Sequence, residues 1–151
     1  MSQRRRTMES QEMELVYAEI ELLRGDDLAL VREGYLETDR IHRCTVSAMV
    51  DSGATMLAIP EFIKRQLKLR PVSQIEAELA DGSSEIYEVV GPVEVRYQNR
   101  RTSVEALVVP NSTKVLLGAI PMEGMDVLID PKRERLIVNP DSPDVAKMML
   151  M

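Results

Sequence analysis

Apolar and polar residues alternate along much of this chain, the period-two signature of strands with one buried face. Over 15–23, Val16, Ala18, Ile20 and Leu22 fall on one side and Tyr17, Glu19 and Glu21 on the other. Arg24-Gly25-Asp26-Asp27 then reads as a turn, after which 28–35 is expected to pair back as a strand. A third strand over 41–50 has Cys44, Val46, Ala48 and Val50 facing one way. The one convincing helical period surrounds Pro60, where Ile59, Phe62, Ile63 and Leu67 recur at helical spacing and Pro71 sets the limit. Strand-like segments at 72–79 and 85–90 flank Asp81-Gly82, a strong hairpin dipeptide. Segments 93–97 and 102–109 flank a second turn at 98–101. Val115-Leu116-Leu117 is a short buried strand, 119–125 suits a helical turn, and 127–129 and 136–138 flank a turn at Asp130-Pro131.

Many short strands, closely spaced turns and little helix predict a mainly β barrel or sandwich. The length of 151 residues suits one domain. Aromatic residues make up only 3% of it, so Ile, Leu, Val and Met must fill the core. Residues 1–13 lack apolar periodicity and read as a flexible arm, 14–140 as the folded domain, and 141–151, with Pro143 and a Met-rich end, as a frayed or partner-packed tail.

Charge narrows the function classes. The net charge is −6 and the only basic cluster is Arg4-Arg5-Arg6, which disfavours nucleic-acid binding by the folded part. Cys44 is the only cysteine, so no internal disulfide forms, and no apolar run reaches the roughly 18 residues of a membrane span. Residues 7–14 are too polar for the core of a signal peptide, and a cytoplasmic location is expected. His42 is the only histidine, which leaves no zinc set and no Ser/His or Cys/His dyad supported by spacing. Met122, Met125 and Met148 to Met151 suit packing or dimer contact better than metal ligation, because thioether ligands normally come with other soft donors.

The informative segment is Ala48-Met49-Val50-Asp51-Ser52-Gly53-Ala54-Thr55, an apolar strand running directly into an acid, a hydroxyl and a glycine. Burial of the approach favours a raised carboxyl pKa, Gly53 permits a sharp turn, and the Ser52 hydroxyl can fix the loop. Taken alone, the triplet is also ordinary turn composition. With Leu57 and Ile59 following, however, it resembles the catalytic loop of retropepsin-like aspartic proteases. Val115-Leu116-Leu117-Gly118 resembles the apolar-apolar-Gly segment that packs beside that loop in the family. Between them, Ala80, Asp81, Gly82 and Ser83 stand where the family carries its substrate-covering flap. The likeness runs over roughly 15–140 and is especially similar to small bacterial and archaeal proteins of this clan.

That resemblance implies an acid-protease half-barrel with a flap hairpin and one or two short helices. It implies Asp51 as the catalytic carboxylate, Ser52, Gly53 and Ala54 as its loop, and Leu116, Leu117 and Gly118 as loop-packing residues. Two close carboxylates cannot easily both ionise, so one serves as base to a water and the other as acid, the aspartic proteases being the standard example of this dyad. No second Asp-Ser/Thr-Gly occurs, so a homodimer is expected to supply the second acid, acting on a peptide or protein without cofactor or metal. Thr55 and Met56 stand where retroviral enzymes carry acidic residues, so substrate specificity does not carry over. A non-catalytic dimerisation or peptide-binding module on the same fold is the alternative.

Overall fold

The computed structural model describes residues 15–150; the expected arm over 1–13, and Met151, lie outside them. Nine strands and three helices follow in chain order: β1 Val16–Arg24, α1 Gly25–Arg32, β2 Arg43–Val50, β3 Leu57–Pro60, α2 Glu61–Gln66, β4 Pro71–Glu78, β5 Ser84–Tyr97, β6 Arg100–Val109, β7 Val115–Leu117, α3 Ala119–Met125, β8 Val127–Asp130 and β9 Arg135–Val138. A single 3-10 turn, Thr38–Arg40, leads into β2.

Seven strands form one sheet in the order β1-β2-β7-β3-β6-β5-β4, and β1 also pairs with β5. That extra pairing closes β1, β2, β7, β3, β6 and β5 into a barrel, which removes the exposed edges an open sheet would carry. The pattern's mainly β barrel is the fold observed, in the form that the resemblance implies. β4 and the first half of β5 continue from it as a hairpin whose tip is Asp81-Gly82. β8 and β9 pair only with each other, as a separate ribbon.

The expected alternation decides what fills the barrel. Val16, Ala18, Ile20 and Leu22 of β1 are buried with Leu57 and Ile59 of β3, Val90, Val93 and Val95 of β5, and Ala106 and Val108 of β6. Each full burial of a large aliphatic side chain contributes about 1.5–3 kcal/mol. Leu67 and Ile63 seal one end through α2, and Met122 and Met125 do so through α3.

Two expectations need correction. Residues 28–35 do not pair back as a strand: Gly25–Arg32 is helix α1. Over Glu21–Arg24, where such a hairpin would have to begin, β1 is engaged by β5 along one edge, and Leu22 and Leu23 are engaged by β2 along the other. With no free ladder edge, the backbone satisfies itself as a helix, helped by Asp26 and Asp27 at the positive end of its dipole. Gly25 permits the close approach, since a Cβ there would meet Pro92 Cγ at 2.7 Å. The second correction concerns the helical period around Pro60: Ile59 and Pro60 end β3, the helix begins at Glu61, and Phe62, which shares the spacing, is half exposed.

Asp27 holds α1 to the barrel. Its carboxylate is buried and accepts from Arg24 Nη1 at 2.6 Å and from the His42 backbone N–H at 2.8 Å, and the His42 ring Nδ1 lies 2.7 Å away. Burial raises its pKa, but the His42 and Arg24 hydrogen bonds outweigh that and hold the carboxyl below its ordinary 3.8. The cluster therefore stabilises the fold fully above about pH 3.8, and that contribution is lost as the pH falls through the depressed folded value. We predict that Asp27→Asn lowers stability at neutral pH and flattens the acid limb of the urea-midpoint against pH profile below about pH 4. A variant whose acid limb matches the native one would show that Asp27 does not carry this dependence.

Candidate active site

The order β2-β7-β3 sets the geometry around Asp51. β2 and β3 are consecutive in sequence, yet β7 lies between them, parallel to β2 and antiparallel to β3. The connection 51–56 must therefore arch over the end of β7, and the chain leaving β7 must pass beneath that arch. Gly118 is the residue at the crossing. A Cβ on it would collide with the carbonyl oxygens of Met56 and Ala54, the latter at 2.8 Å.

Hydrogen bonds lock the arch from below. Asp51 N–H donates to Leu117 O at 3.0 Å and Ala54 N–H to Asp51 O at 3.1 Å. The first N–H groups of α3 are turned into the same loop, with Ala119 N donating to Ala54 O at 2.8 Å and Ile120 N to Thr55 O at 2.9 Å. Donors that a helix start leaves without intrahelical partners thus fix the loop carbonyls. Asp51 Oδ1 accepts the Gly53 N–H at 2.9 Å, which aims the carboxylate along the loop and leaves Oδ2 without a hydrogen bond among the described residues.

Asp51 is part-buried and Ser52 exposed, and both line a cleft of about 440 Å³. Its apolar walls come from Leu15, Val16, Met49 and Val50 on one side and from Ile129 and Pro131 of the β8–β9 ribbon on the other, with Glu134 at the rim. The ribbon residues were not legible as site residues: nothing in Asp130-Pro131 distinguishes a cleft wall from a surface turn. Glu134 sits at φ 52°, an uncommon left-handed conformation for a non-glycine residue.

Of the residues singled out from the sequence, the structure brings together Asp51, Ser52, Gly53 and Ala54 with Leu117 and Gly118. Leu116 lies one residue back in β7, paired with Met49 and Ala58. Ala80, Asp81, Gly82 and Ser83 form the tip of the β4–β5 hairpin and do not line the Asp51 cleft within a single chain. At that tip Asp81 Oδ1 accepts from Ser83 N at 2.9 Å and Ser83 Oγ at 2.5 Å, which lowers the Asp81 pKa, and Gly82 has φ 86°.

Residues 39–123 match the family model described as "gag-polyprotein putative aspartyl protease". The match spans 85 of the 151 residues and includes the Asp51 loop, the hairpin and Gly118. The chain belongs to this retropepsin-like aspartyl protease family. No curated protein matches the chain. Family membership supports aspartic protease activity in general terms. Among the described residues, no helix is long and apolar enough to cross a membrane.

The crossing beneath the arch generates a direct prediction. Gly118→Ala should destabilise the fold by about 1–3 kcal/mol in urea unfolding, because an added methyl has only backbone to displace. An unfolding midpoint equal to the native one would mean that the loop yields without cost.

Proposed function

We propose that the protein is an aspartic endopeptidase in which Asp51 is the catalytic carboxylate and a second copy of the chain supplies the matching acid. The observation that carries this reading is the Asp51 loop: its backbone is tied to Leu117, Ala119 and Ile120, and its carboxylate is presented to a cleft with apolar walls. Fixing the acid beforehand removes the reorganisation that catalysis would otherwise require.

One loop per chain provides one carboxyl, and a two-fold axis beside Asp51 supplies the second at the least cost in sequence. In the dyad, the ionised carboxylate takes a proton from water as the water oxygen bonds to the peptide carbonyl carbon. The protonated carboxyl hydrogen-bonds the developing oxyanion, the C–N bond breaks, and the amine leaves with a proton. Ser52 and Gly53 keep the carboxylate aligned through the turn. The Ala80–Ser83 tip closes over bound peptide as a flap, excluding water. A cytoplasmic setting, in which the lone Cys44 stays reduced, belongs to the same reading.

Asp51→Asn preserves size and the Gly53 contact but cannot accept the proton. We expect peptide turnover to fall by about three orders of magnitude or more, with dimerisation in sedimentation unchanged and stability equal or higher. Cleavage at the native rate by the Asn variant would remove Asp51 from the mechanism. A native protein that dimerises but cleaves nothing in a diverse peptide mixture between pH 3 and 7 would favour the non-catalytic module.

A further inference from the structure

The β8–β9 ribbon walls the cleft beside Asp51, yet no ladder joins it to the barrel. Val127 and Leu136 anchor its inner face in the core. Its polar fixing comes from elsewhere. Tyr97 Oη donates to Leu136 O at 2.5 Å. The rest converges on Asp126, the left-handed residue, φ 56°, that ends α3 and begins the ribbon. Asp126 O accepts the Asn139 N–H at 3.1 Å, Oδ1 accepts Asn139 Nδ2 at 3.0 Å, and Oδ2 accepts both Ser142 Oγ at 2.5 Å and the Lys147 N–H at 2.9 Å. One carboxylate thus closes the base of the ribbon and straps the following segment 139–147 across it.

Ser142 is buried and occupies a telling position. Its hydroxyl donates to Asp126, and its carbonyl accepts from Arg100 Nη2. A buried guanidinium and a nearby carboxylate are therefore bridged by a serine instead of pairing directly. Among the described residues, Arg100 Nε and Nη1 have no hydrogen-bond partner. Unpartnered donors on a buried cation are destabilising, so this arrangement costs stability while fixing where the strap lies. Asn99 Nδ2 donates to Pro143 O at 2.9 Å and reinforces the same seating.

Asp126 also terminates the helix whose first N–H groups hold Ala54 and Thr55 of the catalytic loop. The short helix α3 thereby links the Asp51 loop at one end with the opposite cleft wall at the other. We propose that Asp126, acting through Ser142 and Asn139, is a positioning residue that sets the β8–β9 wall of the cleft relative to Asp51 and so governs capture of the peptide.

This inference rests on the reading of Asp51 as the hydrolytic acid. Its test uses the full chain with Ser142→Ala, which removes one hydroxyl, and Asp126→Asn. Both variants are expected to raise KM for a cleaved peptide about five- to tenfold while kcat per active site stays within about twofold. Amide hydrogen exchange is expected to accelerate in β8 and β9 and to stay at the native rate in β1 and β2. Unchanged KM together with native ribbon exchange would overturn the assignment. So would a loss of kcat that merely follows a lowered melting temperature, the mark of a general structural role. If the native protein turns over no peptide, the reading of Asp51 fails separately. The exchange experiment then decides alone, and a ribbon that exchanges at the native rate in both variants refutes the positioning role.

Discussion

The insertion of β7 between two strands that are neighbours in sequence is the constraint on which the rest of the site depends. Because β2 and β3 cannot pair with each other, the residues joining them must bridge the width of an intervening strand. The bridge cannot relax toward the barrel, because Gly118 fills the space beneath it to van der Waals contact and beyond what any other side chain would allow. Nor can it lift away easily, because Asp51, Ala54 and Thr55 each share a backbone hydrogen bond with β7 or α3. An acid placed on such a bridge is held by topology as much as by local turn chemistry.

Barrel closure performs a second task. Pairing of β1 with β5 consumes the last open edge over Glu21–Arg24 and forces the following residues into α1. Across the register shift between Val90 and Val93, one edge of β5 passes from β4 in the hairpin to β1 in the barrel, while its other edge stays with β6. The β4–β5 hairpin is consequently an extension of a core strand. Its base is fixed by the buried Val89 and Val90, while its tip at Asp81-Gly82 is exposed, with open space where a Gly82 side chain would stand. A rigid base and an exposed tip are compatible with the flap role proposed for this hairpin.

Two signals were legible in the sequence: the period-two burial of β1, β2 and β7, and the turn residues that mark the three hairpins β4–β5, β5–β6 and β8–β9. The Asp51 loop and Gly118 were legible through their resemblance to the family's motifs, since the triplet alone reads as ordinary turn composition. The failures have a common physical origin. Residues 28–35 contain enough apolar character for a strand, and only the occupancy of both β1 edges, a long-range fact, excludes it. Phe62 fits the helical stripe, but α2 has only six residues and buries Ile63 alone, so the stripe overstates what a short helix can cover. Asp126, Arg100 and Ser142 were invisible for a different reason: each is unremarkable locally and gains its meaning from partners up to 42 positions away.

Polar burial distinguishes the Asp27 and Asp126 clusters. Asp27 is matched by Arg24 and His42 at hydrogen-bonding distance, and its depressed pKa shows net stabilisation of the charged form. Asp126 is held lower still, at about 2, by Ser142 first and then by Asn139 and the Lys147 backbone, with Arg100 the least of the contributors. Neutral donors, not the neighbouring cation, satisfy this carboxylate. A direct Arg100–Asp126 pair would fill the guanidinium's vacant donors, but it would displace the serine that ties down the strap. The fold bridges cation and carboxylate through Ser142 at the base of the ribbon that walls the cleft, and pairs them directly at α1, which does not line that cleft. The cost of the serine bridge therefore falls on the unpartnered Arg100 donors, while the Asp126 carboxylate itself is well satisfied.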